Sequence, residues 1–408
     1  MSTIENTPKS NRIHIGFFGP CNAGKSTLIN MLTDQEVSLV ASVAGTTTDP
    51  VSKAMEILPL GPVMITDTAG IDDTSELGAL RIKKTKTLLP TINIAVYVVR
   101  NDVPISELDI EWIHLLSSHN VPIVLCVNQV DTSLSTDEYL ASYPMIKEQV
   151  KAIGSANFLE KDQRLALLDM LGHIQPIDGE EETTLLEGII EAGDTVVLVC
   201  PIDSAAPKGR LILPQVQMIR EILNKRGLAV VVQTEELAQT LDSLSKEPRL
   251  VITDSQAFEE VSQIVPLHIP LTSFSILMAR FKGRLKELVK GIHAVKQLQP
   301  GSKVLISEGC THRRQCDDIG TVKIPKWLEK QGYKDLDLHW SSGGHFPEDI
   351  ETYDLIIHCG ACMLTRREVL HRIDISTIHG VPIVNYGILI AELHGILERA
   401  ISPFCNEL

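Results

Sequence analysis

The chain has 408 residues, 52 of them acidic and 37 basic, for a formal charge of −15. A length of roughly 100–200 residues per domain gives two to four domains, and the acidic balance argues against gripping a nucleic-acid backbone through the overall field. The polar start Met1–Asn6 shows no apolar signal segment and no apolar run approaches the ~18 residues of a membrane span, so a cytoplasmic protein without a membrane partner is expected, its eight cysteines serving as thiols or metal ligands.

The first apolar run, residues 13–18, predicts a buried strand. It leads into Gly19-Pro20-Cys21-Asn22-Ala23-Gly24-Lys25-Ser26 and then into a helical pattern that begins at Thr27. A G-x-x-x-x-G-K-S sequence between strand and helix is a phosphate loop. Its glycines let the backbone close around a phosphate chain, and the loop N–H groups and the helix N-terminus supply the positive field. Lys25 is expected on the β and γ phosphates and Ser26 on Mg²⁺. A second strand, 63–66, ends in Asp67-Thr68-Ala69-Gly70. Asp67 there can hold Mg²⁺ through its water shell, and the Gly70 amide can sense the γ-phosphate.

Strands are predicted next at 94–99 and 122–127, the latter ending in Asn128-Gln129-Val130-Asp131. An aspartate at that point accepts hydrogen bonds from guanine N1–H and the exocyclic amine, which adenine lacks, so the site selects GTP and GDP over ATP. Gln129 stands where the N-K-x-D pattern has lysine, and a loss of some nucleotide affinity is the expected cost. Ser155 and Ala156, after a helix predicted over 137–153, form the fifth guanine element. The candidate nucleotide-binding set is therefore Gly19, Asn22, Ala23, Gly24, Lys25, Ser26, Thr27, Asn128, Asp131, Ser155 and Ala156, in a Ras-like P-loop domain over residues 1–172.

With Asn22 inside the phosphate loop and Gly45-Thr46-Thr47-Thr48-Asp49 downstream, this domain resembles the translation-factor-related small GTPases, in particular the branch containing the tRNA-modifying GTPase MnmE. The resemblance implies that Thr47 ligates Mg²⁺ when γ-phosphate is present. It also implies that Asn22 coordinates a K⁺ ion that replaces an arginine finger; the plainer reading is that Asn22 only shapes the loop. Ras-type enzymes carry a water-orienting glutamine after this glycine, and here the position is Ile71. An apolar side chain cannot polarise water, so slow intrinsic hydrolysis and a switch-like nucleotide state are expected.

An acidic connector at 178–182 marks a boundary near residue 173. Apolar runs at 195–200, 228–232 and 250–253 alternate with helical stretches at 215–226, 235–245 and 256–264, which predicts a small parallel α/β unit over 173–265. It shows no catalytic constellation, and 206–211 lacks the pattern of a second phosphate loop; association with a second copy of the chain is the expected role.

In the last segment, 266–408, a long helix is predicted over 274–298. A strand over 303–307 runs into Glu308-Gly309-Cys310-Thr311-His312, and a strand over 353–357 into His358-Cys359-Gly360-Ala361-Cys362. Both clusters follow the carboxyl ends of strands, the edge where open α/β sheets bind ligands. Three cysteines and two histidines suit tetrahedral zinc and equally an iron–sulfur cluster held by three thiolates with one replaceable ligand. Cys126 and Cys200 read as buried thiols, Cys21 as a variable loop position, and Cys316 and Cys405 have no partner at ligand spacing. His339 and His345 fall in a loop-rich stretch. Arg313-Arg314 and Arg366-Arg367 each follow a ligand motif and could flank an anionic cargo.

C-x-H followed by H-C-x-x-C, behind a G domain and a middle α/β unit, resembles the HydF family, GTPases that mature iron-only (FeFe) hydrogenases. The resemblance covers essentially the whole chain. It implies a three-domain α/β protein whose Cys310, Cys359 and Cys362 hold a 4Fe–4S cluster, with His312 or His358 as a replaceable fourth ligand. It further implies that the protein carries a diiron subcluster precursor, assembled with two radical-SAM maturases, and delivers it to apo-hydrogenase. The competing reading is an RNA-modification or ribosome-assembly GTPase with a structural zinc site; the missing basic, aromatic-interleaved surface speaks against it.

Overall fold

A computed structural model describes residues 7–33, 51–131, 133–160, 162–176, 184–202, 209–310 and 318–408. Thr47 with its switch segment, the connector at 178–182, residues 206–208, His312, Arg313, Arg314 and Cys316 lie outside the described residues. The chain divides into two compact units, Met1–Glu181 and Glu182–Leu408.

The first unit runs β1 (Ile13–Phe18), α1 (Lys25–Thr33), β2 (Val51–Ile57), β3 (Gly61–Asp67), α2 (Glu76–Leu88), β4 (Ile94–Arg100), α3 (Glu107–Ser118), β5 (Ile123–Asn128), α4 (Thr136–Ala141), α5 (Pro144–Gln149), β6 (Ala152–Ala156) and α6 (Arg164–Gly172). Its six strands are ordered β2-β3-β1-β4-β5-β6, with only β2 antiparallel to its neighbour. The continuous apolar runs follow from burial on both faces. On β4, Ile94, Val96 and Val98 enter one core layer, and Ala95, Tyr97 and Val99 the other.

The helix predicted over 137–153 is instead α4, α5 and the start of β6. Pro144 begins α5; it has no N–H to continue a preceding helix. Lys151 N then donates to Ile123 O at 2.7 Å, and the chain leaves as a strand. Ser155 and Ala156 therefore close β6, opposite Val127 and Asn128 of β5.

The second unit begins with β7 (Thr195–Val199), α7 (Leu213–Asn224), β8 (Leu228–Val232), α8 (Leu237–Ser243), β9 (Leu250–Thr253), α9 (Phe258–Ile264) and β10 (Leu271–Ser273). These strands form a parallel sheet ordered β10-β9-β7-β8. Three helices follow, α10 (Phe274–Lys282), α11 (Leu285–Lys290) and α12 (Ile292–Val295), then β11 (Lys303–Glu308), α13 (Ile324–Lys330), β12 (Asp337–Ser342), β13 (Leu355–His358), α14 (Arg366–Ile378), β14 (Ile383–Asn385), α15 (Tyr386–Leu393) and α16 (Leu397–Ile401). The second sheet is ordered β12-β11-β13-β14, and both sheets of this unit share one hydrophobic core.

Two expectations for this unit are corrected. The single helix over 274–298 is broken twice, at Gly283 and Gly291. Gly283 caps α10, and a Cβ on Gly291 would lie 2.1 Å from the Ile383 carbonyl oxygen, so the chain bends where a side chain could not pass β14. His339 is not in a loop: it lies on β12 opposite Leu305, its ring 5.5 Å from that of Tyr353. The polar, half-buried sequence of this edge strand hides its period-2 pattern. Replacing Gly291 by alanine should destabilise the second unit by about 1–3 kcal/mol through this overlap, read as a lower urea midpoint in tryptophan fluorescence; an unchanged midpoint would show that β14 yields without cost.

Candidate nucleotide site and candidate metal site

The phosphate loop leaves the carboxyl end of β1 between β3 and β4, where the sheet's connections diverge. Gly19 and Gly24 sit at φ 135° and 101° and Asn22 at 59°. A Cβ at Gly19 would meet Val98 O at 2.2 Å, so glycine is required there. Asn22 occupies the left-handed region, which asparagine tolerates better than most residues; the backbone alone gives a reason for its identity.

Lys25 is buried, and its Nζ donates to Gly19 O at 2.9 Å and Pro20 O at 2.7 Å. Burial holds its pKa below the usual lysine range, with the Asp67 charge opposing. Ser26 Oγ donates to Asp67 Oδ2 at 2.7 Å, and burial raises the Asp67 carboxyl pKa. A hydroxyl and a carboxylate so paired, beside a phosphate loop, are the donor set that Mg²⁺–nucleotide uses. Thr27 follows on α1.

The segment after β3 lies directly on this loop. A Cβ at Gly70 would fall 2.2 Å from Cys21 Sγ, Ile71 N donates to Gly19 O at 3.3 Å, and Cys21 N donates to Asp72 Oδ1 at 2.5 Å. Ile71 itself is buried among apolar side chains. Asn128 ties the base-reading loop to the phosphate loop, its Nδ2 donating to Ala23 O at 3.2 Å, and Gln129 N donates to Ala156 O at 2.9 Å. The Asp131 carboxylate is exposed and accepts from Ser133 Oγ at 2.6 Å and Ser133 N at 2.9 Å, bonds that lower its pKa. Buried Asn101 was not singled out from the sequence, yet it braces this loop: its Nδ2 donates to Asp131 O at 2.6 Å and its Oδ1 accepts from Asp131 N at 3.0 Å. Its place one residue beyond β4 was the only signal available.

In the second unit β11 and β13 are hydrogen-bonded neighbours with Ser307 opposite His358. Cys310 and the Cys359–Cys362 loop therefore leave one sheet edge side by side. Cys359 Sγ accepts from Gly309 N at 3.0 Å and Ala361 N at 3.3 Å. Burial pushes the Cys359 thiol up to about 11 against these bonds; burial also raises Cys362, while Lys282 lowers it. Among the described residues no three Cys, His, Asp or Glu side chains already stand at metal-ligating distance.

His358 is committed elsewhere. Its Nδ1–H donates to Cys359 O at 2.9 Å, and its Nε2 accepts from Arg372 Nη1 at 3.2 Å; arginine can only donate, which fixes the tautomer. Burial and the Arg372 charge lower its pKa to about 3. Both ring nitrogens are taken, so His358 would have to leave Arg372 to serve as a ligand. Arg372, almost wholly buried, also reaches Ser307, Gly343 O and Glu368. Two further residues hold the cysteine loop from behind: Asn385 Nδ2 donates to Cys359 O at 3.2 Å, and Lys282 Nζ reaches Ala361 O, Cys362 O and Leu364 O. No local sequence signal marks either. Cys126 and Cys200 are buried as expected, Cys21 and Cys405 are exposed, and Arg366-Arg367 open α14 behind the Thr365 cap.

Residues 185–283 match the family model of the hydrogen maturase F dimerization domain and residues 286–403 that of the hydrogen maturase F tetramerization domain. Residues 14–129 match the 50S ribosome-binding GTPase model. GTPase Der of Sulfurimonas denitrificans is 31% identical over 150 residues, which cover 36% of this chain and 30% of that protein. GTPase Der of Wolinella succinogenes is 34% identical over 131 residues, covering 31% and 27%. The chain thus spans less than a third of the length of these curated relatives. Among solved structures, an Era variant of Aquifex aeolicus bound to GDP·AlF4⁻ aligns at 18% identity and TM-score 0.34, covering 54% of this chain and 93% of that one. A probable GTP-binding protein EngB aligns at 22% and 0.31, covering 39% and 96%.

Asp131, held by Asn101 and Ser133 at the edge of the nucleotide loops, generates a prediction on base choice. Asp131→Asn should weaken GTP by about 100-fold or more and favour xanthosine triphosphate, which presents the complementary group. Equal GTP affinity in the variant, measured by titration with a fluorescent nucleotide, would remove Asp131 from the site.

Proposed function

The chain belongs to the hydrogen maturase F family, and from that premise we propose that it is a GTP-hydrolysing scaffold and carrier in the maturation of iron-only (FeFe) hydrogenases. The observation that supports the reading is the β11–β13 pairing, from which the segment leading to Cys310 and the Cys359–Cys362 loop both leave at one end of the sheet. In the first unit, Lys25 and the loop amides bind the phosphates of GTP, and Ser26 with Asp67 holds Mg²⁺. Thr47 completes the Mg²⁺ shell when the γ-phosphate is present, and Gly70 senses that phosphate. Asn22 coordinates K⁺. With buried Ile71 after Gly70, no side chain at that position orients the attacking water, and turnover is slow.

In the second unit Cys310, Cys359 and Cys362 hold a 4Fe–4S cluster. Two amides already donate to Cys359 Sγ, an arrangement that favours the thiolate such a cluster requires. Cys310 and Cys362 would supply the other two thiolates. When bound, the cluster would supply one iron with an exchangeable position, since three thiolates leave the fourth to His312, to a His358 released from Arg372, or to cargo. The cargo is a diiron subcluster precursor received from two radical-SAM maturases and passed to apo-hydrogenase.

The protein works as an assembly of copies. β8 supports this: it is an edge strand of sequence Leu-Ala-Val-Val-Val with Leu228 59% and Val231 42% exposed. Edge strands of single-copy proteins are usually blunted by charge or proline, and this one carries neither. A two-fold axis would pair two β8 strands antiparallel.

Chemistry should separate by unit. Lys25→Ala should abolish GTP turnover, which in the parent should run faster in KCl than in NaCl at equal ionic strength, while iron stays bound. Cys359→Ser should lose iron and the broad absorbance near about 400 nm that iron–sulfur charge transfer gives, with turnover intact. Colourless zinc-bearing protein would sink the cluster, equal rates in the two salts the K⁺ role, and loss of both properties from either change the division of labour. The assembly has its own test. Leu228→Lys with Val231→Lys should convert the protein to smaller species in light scattering; an unchanged mass would take β8 out of the interface.

A further inference from the structure

Lys282 is the last residue of α10, a helix capped by Ser273 and stopped by Gly283. It is 1% exposed, among the largest fully buried side chains of the described residues. Its Nζ donates to Ala361 O at 3.1 Å, Cys362 O at 3.1 Å and Leu364 O at 2.6 Å. Three carbonyl acceptors around Nζ suit an ammonium, which has three protons to donate, where a neutral amine has only two.

A buried ammonium is costly unless an anion offsets it. The described partners of Lys282 are carbonyl oxygens alone. Glu368, whose field reaches it, is engaged at 2.9 Å by Arg372. The charge therefore faces the cysteine loop without a carboxylate of its own.

The loop is polarised to match. Its carbonyls point inward: Cys359 O to His358 and Asn385, and Ala361 O, Cys362 O and Leu364 O to Lys282. Ala361 N of the loop and Gly309 N of the chain leaving β11 aim at Cys359 Sγ, and the Cys362 and Met363 amides act on the Cys362 thiol, while Cys359 N and Leu364 N pair with Ser307 O and Ala361 O. The peptide dipoles thus present their positive ends to sulfur, as in an anion-binding nest, and Lys282 holds the negative ends.

We infer that Lys282 is a positioning residue for the cluster, a fixed cation that orders the Cys359–Leu364 loop and offsets the negative charge its thiolates acquire. This rests on the cluster reading above. A 4Fe–4S core held by three thiolates is net negative in either redox state, and more so by one charge after an electron is added by an external reductant such as dithionite. A nearby buried cation stabilises the reduced state more than the oxidised one. Lys282 therefore raises the reduction potential as well as shaping the loop.

The test compares the full-length protein with Lys282→Met, Lys282→Gln and Lys282→Arg, each reconstituted with iron and sulfide. Before reconstitution, the neutral variants should show the parent's circular dichroism. After it, they should take up less iron, surrender it faster to a chelator and titrate at a more negative midpoint; Lys282→Arg should recover part of each property. Neutral variants with the parent's midpoint and chelator resistance would overturn the inference. So would neutral variants that fail to fold before iron is added, since Lys282 would then serve the fold and not the cluster. A parent protein that takes up no iron at all would instead sink the cluster reading, an outcome visible before any variant is made.

Discussion

Parallel pairing of buried strands is the constraint on which both sites depend. Because the strands point the same way, the loops that leave their carboxyl ends emerge together, whatever their separation in sequence. In the first unit, Phe17 opposite Asp67 brings the phosphate loop against the Asp67–Gly70 turn, and Val98 of β4 packs its carbonyl where a Gly19 side chain would be. In the second, Ser307 opposite His358 joins two cysteine motifs that lie about fifty positions apart. A slip of one residue in either register would turn each apolar strand face out of its core layer, so the cores that fix the registers also fix the sites.

That dependence explains which parts were legible in the sequence. Strands buried on both faces read as unbroken apolar runs, and the motifs at their ends followed directly: β1, β3, β4, β5, β11 and β13 all appear where expected, within a residue or two. The strands that escaped notice are of another kind. β2, β6 and β12 are edge strands with small or polar residues interleaved, and β10 and β14 are three residues long. The predicted helices failed where tertiary contact overrode periodicity, as at Gly291 against Ile383. Least legible were the residues that brace the sites. Asn101 reaches across 30 positions, Arg372 across 65 to Ser307, and Lys282 across 79 to 82 to the cysteine loop. Nothing local distinguishes such a lysine from the solvated ones around it, since its meaning is created by burial.

The two candidate sites share a physical device and use it differently. In each, a buried lysine gathers loop carbonyls. Among the described residues Lys25 uses two acceptors, Gly19 O and Pro20 O, one fewer than its three protons could reach, and it sits within the loop that must bind phosphate. Letting go of either carbonyl as phosphate arrives exchanges one charge-assisted bond for another, so the site can load and unload without a large penalty. Lys282 has all three protons bound and no exposed path; moving it would strand a buried charge.

The consequence bears on how a cluster site could release cargo while keeping its own cofactor. If the cysteine loop were free to rearrange, exchange at the open iron and loss of the whole cluster would have similar barriers. The Lys282 clamp, with Asn385 and His358 on the adjoining carbonyl, fixes the backbone polarity around Cys359 and Cys362 independently of what occupies the site. If Cys310, Cys359 and Cys362 hold the proposed cluster, exchange would be confined to the coordination position they leave, where a ligand weaker than sulfur would suffice. Under the proposed cluster reading, the lack of a fourth cysteine at ligand spacing in the sequence and the burial of Lys282 would be two halves of one arrangement: the first would make a position exchangeable, and the second would keep the other three from becoming so.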